Sequence, residues 1–268
     1  MNIDWTALSI VGPALLAGVL VLATHVPLGR EVLKRGIIFI DLAVAQMAGL
    51  GVIAAGGFGF ETHGVAAQVA AFASALAGGL LLSWTDRLFG RVQEAIIGVS
   101  FVLAATGGLL LLANNPHGSE ELRDLLVGQI LWADVHTLAP AAVLAAVVLA
   151  SWSFVMRKLG RPGFYLLFAV SVTASVQLVG VYLVFASLMV PALATRTLRS
   201  HALAFGYAIG LLGYLFGLLL SVFYDLPTGA VIVWTLTGVA IVAAPLLARW
   251  RVPLAQEDAN VTVSSGED

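Results

Sequence analysis

Asp41 is the residue of this sequence whose chemistry most needs an explanation. It lies in the apolar run GIIFIDLAVAQMAGLG, where an ionised carboxylate costs several kcal/mol unless it is paired or hydrated. Two readings satisfy that demand. Asp41 is a cation ligand or relay in a water-filled path, or it is ion-paired with Lys34 or Arg35, one or two turns away and long enough to snorkel toward it. The neutral amides Gln46 and Gln177 could line the same path, or make interhelical hydrogen bonds worth about 0.6 to 2 kcal/mol. The histidines His25, His63, His117, His136 and His201 fall at the ends of apolar runs or between them. No pair has the i, i+4 spacing of a helical metal site, so they read as solvated or interfacial side chains.

Other chemistries find no support. With no Cys there is neither a disulfide framework nor a thiolate metal site. There is no GxxxxGK[ST] loop, so ATP chemistry would have to come from another chain. No pair of catalytic carboxylates, no Ser beside a base and no HExxH helix points to an enzyme.

The elements that must position Asp41 follow from composition. The chain has 268 residues, 60% hydrophobic and 10% charged, with a mean hydropathy of +1.00; soluble domains are about 25% charged. Apolar runs of about 20 residues recur, the length that a hydrocarbon core about 30 Å thick requires. Backbone polar groups cannot stay open in lipid, so the runs must be helices. The expected fold is therefore all-α, a polytopic membrane bundle of about eight transmembrane helices plus short or re-entrant ones.

Spans are expected over 5–24, 37–55, 65–84, 95–113, 138–156, 202–222 and 228–248. The first, lacking a basic leader and a cleavage site, reads as retained. It ends at HVPLG, and GREVLKRG is a linker. LLVGQILWADVHTL is half a span before Asp134 and His136, and suits a short or re-entrant helix. Residues 164–194 are too long for one crossing, and Pro191 divides them into a crossing and a shorter return. GYAIG and GYLFG are small-xxx-small packing signals, and FYDLPTG is a tight turn opening a helix. Residues 1–248 form one transmembrane domain, and 249–268 a polar tail expected to be disordered.

Positive charge supports the return. With it, 12 of the Lys and Arg residues fall on one side and only Arg123 on the other; with a single crossing the split is 8 against 5. The positive-inside rule then puts the N-terminus outside and the C-terminus in the cytoplasm of a cell (inner) membrane protein. The net charge of −2 gives no reason to expect nucleic acid.

Several stretches, in order, give the chain a specific likeness: PLGREVLKRGIIFIDLAVAQMAGLG, EAIIGVSFVLAATGGLLLL, DLLVGQILWADVHTL, VQLVGVYLVFASLMVPALATR and YDLPTGAVIV. From about Leu28 to Ala248 it resembles the permease subunits of ABC importers for zinc, manganese and iron. The resemblance implies a homodimer, two cytoplasmic ATPase subunits, an extracytoplasmic metal-binding protein, and a transported divalent metal ion rather than a bound cofactor. It also implies that Asp41 faces the ion path.

Two departures stand out. Similar permeases carry a His four residues after the second-span Asp, where this chain has Ala45. Gln46, about 100° further round the helix, cannot simply replace it, which leaves oxygen ligands suited to harder ions than zinc. Similar permeases also have a longer ATPase-docking segment after the fifth span, where this chain has only MRKLGRPGF. Arg157, Lys158 and Arg161 are then the ATPase-facing residues that remain. The short loop equally fits a permease-derived protein that works without an ATPase, as a passive channel, secondary carrier or membrane partner.

Overall fold

The computed structural model describes residues 5–61, 64–113, 115, 126–128, 130–198 and 201–247. The tail after 247, His63, His117, Arg123, Arg199, Arg249 and Arg251 lie outside them. The architecture is an all-α bundle: α1 (Trp5–Arg35), α2 (Ile40–Gly57), α3 (Val65–Phe89), α4 (Gln93–Leu112), α5 (Val135–Leu159), α6 (Arg161–Val179), α7 (Val181–Ala194), α8 (Ala202–Tyr224) and α9 (Thr228–Leu247).

Seven helical stretches are long and apolar enough to cross a membrane, one of them the 48-residue Val65–Leu112. At 1.5 Å per residue that stretch is far too long for a single crossing, and it reverses at the 3₁₀ turn Gly90–Val92. α3 runs antiparallel to α2, with Ser74 Oγ donating to the Met47 carbonyl at 2.6 Å and Gly51 packed on Ala70 and Ser74. α4 runs parallel to α2, with Glu94 beside Phe39 and Gly108 against Ile53. Counted as two, the stretch brings the crossings to eight, and α7, at 14 residues, is the short helix beside them.

α1 does not end at HVPLG. It continues through Pro27 to Arg35. Proline removes the N–H that would have bonded the carbonyl four residues back, that of Ala23, and Tyr207 Oη on α8 donates to this carbonyl at 3.1 Å. The tertiary structure thus repairs the bond that proline breaks. The helix stops at Gly36, whose φ is +68°. Gly36 N–H bonds Leu33 and Ile37 N–H bonds Val32, the paired bonds of a Schellman cap.

Residues 161–194 do form a crossing and a return, but the break is at Gly180, not Pro191, which lies inside α7. Gly180 has φ +81° and Gly128 φ +69°, and the two backbones pack directly together. A Cβ on Gly180 would sit 2.8 Å from Gly128 Cα. The half-span segment is what occupies this break, with residues 126–127 helical and a 3₁₀ turn over Ile130–Trp132. It leads into a capping box at the start of α5, where Asp134 Oδ1 accepts from Thr137 N–H at 2.9 Å and Thr137 Oγ1 accepts from Asp134 N–H at 3.0 Å. Both bonds satisfy N–H groups that a helix start leaves open.

The two glycine repeats of α8 serve neighbours within the chain. Gly206 and Gly210 face Val26 and Leu22 of α1, while Gly213 and Gly217 face Leu236 and Ile232 of α9. The buried core runs from Val21 and Leu28 through Val44, Phe168 and Leu183 to Tyr214 and Leu236. At one end of the bundle Arg161 pairs with Asp86 at 3.6 Å, Arg35 stacks over Phe164 at 4.2 Å, and Gln93 bonds Tyr165. The ends of α1, α3, α5 and α7 and the starts of α2, α4 and α6 therefore share one face, which carries the described Lys and Arg residues assigned to one side from the sequence.

Candidate functional site

Asp41 occupies the first turn of α2 and is 1% exposed. Neither carboxylate oxygen makes a hydrogen bond of adequate geometry, although the backbone N–H groups of Asp41 and Leu42 in its own turn act favourably on its charge. The ion pair open to it on sequence grounds is not made. Lys34 and Arg35 turn back along α1 to Glu31, at 3.7 Å and 3.0 Å. A carboxylate at a helix N-terminus gains about 0.3 to 2 kcal/mol from the aligned peptide dipoles, less than burying its charge without a partner costs.

Glu94 lies beside this turn. Its Oε1 accepts the Phe39 N–H at 3.1 Å, tying the start of α4 to the start of α2, while its Oε2 is buried without a partner. Phe39 lies two residues before Asp41, so the bond sets Glu94 against the helix start that carries Asp41. Nothing in the sequence singles out Glu94, because TDRLFGRVQE between two apolar runs reads as a charged loop. The signal available was an acid one residue inside a helix start, which means little until the facing helix is known.

Gln46 and Gln177 stand elsewhere. Gln46 is five residues along α2 from Asp41, about 140° round the helix, and half-buried. It lines a cavity of about 10 Å³ with Leu50, Ile53, Val176 and Val181, room for about one water. Gln177 is exposed beside that cavity's Val176. Neither Asp41 nor Gln177 lines the cavity at Gln46.

Among the described residues no group of three or more His, Asp or Glu side chains could hold a metal. His25 corrects the expectation of a solvated or interfacial ring. Because α1 continues past it, it is wholly buried, with Nδ1 2.9 Å from the Val21 carbonyl and 3.0 Å from Thr24 Oγ1. A cleft of about 850 Å³ lies between α8 and α9 and is lined by residues such as Phe216, Trp234 and Leu246, with no titratable side chain. Its apolar walls suit lipid tails, not an ion.

Arg157, Lys158 and Arg161 are exposed. Arg157 and Lys158 lie in the last turn of α5, where positive charge complements the helix dipole. Gly160 alone, at φ +59°, separates α5 from α6, so no further helix intervenes.

A family model described as the ABC 3 transport family matches residues 7–162 and 161–246. The chain belongs to the ABC 3 transport family. It is thus a multi-pass permease of the ABC type, and the family's two matched segments meet at the α5–α6 turn. Among solved structures, PsaBC from Streptococcus pneumoniae in complex with Fab aligns with a TM-score of 0.68 at 17% identity, covering 89% of this chain and 94% of that one. At that identity the likeness is one of fold. A chain described as an inward-facing metal-chelate type ABC transporter aligns at a TM-score of 0.47 and 16% identity, over 98% of this chain and 88% of that one. No curated protein sequence matches significantly.

Proposed function

We propose that this ABC 3 permease is the membrane-spanning subunit of an importer for a divalent metal ion, drawn from zinc, manganese and iron, and that Asp41 is its charged contact with the passing ion. The observation that carries the assignment of Asp41 is its burial with both oxygens unpartnered, in a chain of a transport family. A buried carboxylate with no basic partner is stable only when a cation or proton neutralises it.

The permease works as a homodimer with two cytoplasmic ATPase subunits and an extracytoplasmic metal-binding protein. ATP binding by the partners shifts the equilibrium between outward- and inward-open states. The basic end of the bundle faces the cytoplasm, by the positive-inside rule. In cells expressing the chain with its neighbouring genes, Asp41→Asn abolishes metal uptake while the protein stays in the membrane. Full uptake by that variant removes Asp41 from the mechanism.

A second reading, transport or partnering without an ATPase, is favoured by the single-residue turn between α5 and α6, which leaves no helix there to dock on a cytoplasmic subunit. Purification in mild detergent together with its genomic neighbours separates the two. A stoichiometric ATPase subunit in the purified complex eliminates the second reading.

A further inference from the structure

We propose that Glu94 joins Asp41 in an oxygen-only transit site for a hard divalent cation, at the basic end of the bundle where α2 and α4 begin. The inference rests on the reading that Asp41 meets the transported ion, and it adds a second ligand and a class of cargo.

The argument begins with what Glu94 does not need its charge for. Bonding the Phe39 N–H uses Oε1 alone, and a glutamine carbonyl would accept that bond without burying a charge. Instead, Glu94 keeps a second oxygen buried and unpartnered next to another such carboxylate. Two neighbouring carboxylates repel, and leaving both uncompensated is costlier than either alone.

Nearby positive side chains do not relieve them. Lys34 and Arg35 are committed to Glu31, Arg161 pairs with Asp86, and among the described residues no Lys or Arg, Arg30 included, forms an ion pair with Asp41 or Glu94. A divalent cation is the species that best neutralises two unpartnered carboxylates at neighbouring helix starts.

The donor set decides which cation. Asp41 Oδ1, Asp41 Oδ2 and Glu94 Oε2 are free, and no described cluster of three or more metal-binding side chains surrounds them. Carboxylate oxygens completed by water suit manganese and other hard ions, whereas zinc prefers imidazole or thiolate. Two protein ligands also make a loose site, as passage requires, because a bound ion must be able to leave.

The test uses the purified full-length permease in detergent, with Mn²⁺ binding followed by electron paramagnetic resonance. Glu94→Gln keeps the acceptor for Phe39 N–H, so it folds, and is expected to weaken Mn²⁺ binding about tenfold or more; Asp41→Asn does the same. If Asp41→Asn loses Mn²⁺ and Glu94→Gln does not, Glu94 is no ligand and the proposal falls while the reading of Asp41 stands. If neither variant changes binding, both fall. A second measurement needs no variant: X-ray absorption of the Mn²⁺-loaded protein is expected to show an all-oxygen shell. A nitrogen neighbour, or no Mn²⁺ binding at all, overturns the proposal.

Discussion

Pro27 and Tyr207 offer a direct test of how a broken helix bond is repaired across the bundle. Pro27 has no N–H for the Ala23 carbonyl, which instead accepts from Tyr207 Oη at 3.1 Å. Replacing Tyr207 with Phe keeps the ring and deletes the donor. The carbonyl is then left open inside an apolar bundle, a loss of about 1 to 2 kcal/mol by the scale of interhelical bonds in membranes and of unsatisfied buried acceptors.

In a Pro27→Ala background the residue at 27 supplies its own N–H to Ala23, and Tyr207 becomes dispensable. Tyr207→Phe should then cost about 0.5 kcal/mol or less. The coupling between the two positions is therefore about 1 kcal/mol, roughly a fivefold change in the folded-to-unfolded ratio. Reversible unfolding in mixed detergent micelles, titrated with sodium dodecyl sulfate, measures all four proteins of the cycle. Equal costs for Tyr207→Phe in both backgrounds would refute the repair.

Other perturbations test the remaining elements. Gly180→Ala places a Cβ against the backbone of Gly128 at a positive φ and should destabilise the bundle by about 2 kcal/mol or more, read in the same micelle titration; a wild-type midpoint would contradict the packed break. Gly206→Leu pushes into Val26 of α1, and Gly217→Leu into Ile232 of α9. Each should lower the melting temperature of the monomer itself; a change in oligomeric state with unchanged monomer stability would assign the repeats to a dimer instead. The Thr137 N–H holds the Asp134 carboxyl below its ordinary range. A lowered folded-state value means that the cap stabilises fully at neutral pH and is lost as pH falls through that value. Hydrogen exchange at the start of α5 should therefore speed up only in acid, and Asp134→Asn should flatten that dependence.

Much of this was legible along the chain because lipid allows so few backbone solutions. Uninterrupted apolar runs had to be helices, and their number followed from their length. The crossing and return within 164–194 followed from charge counted over the whole chain, a global property that a local motif does not carry. Boundaries fared differently. Pro27 looked like a stop, although Lys34, Arg35 and Gly36 spelled out the true helix end nine residues later, because the donor that lets the helix pass proline sits on α8. Pro191 looked like the break, although Gly180 supplies the positive φ that a reversal needs.

The site divides in the same way. Sequence alone marked Asp41, since a carboxylate in an apolar run is conspicuous wherever it folds, and it exposed the short α5–α6 connection and the missing His at Ala45. Only tertiary structure showed that Lys34 and Arg35 turn away from Asp41 to Glu31, that Gln46 and Gln177 stand apart from it, and that Glu94, 53 residues later in the chain, lies beside it. Residue type fixes what a side chain can do chemically. Which groups share a low-dielectric space, where an unpaired charge becomes expensive enough to demand a ligand, depends on how α2 and α4 pack.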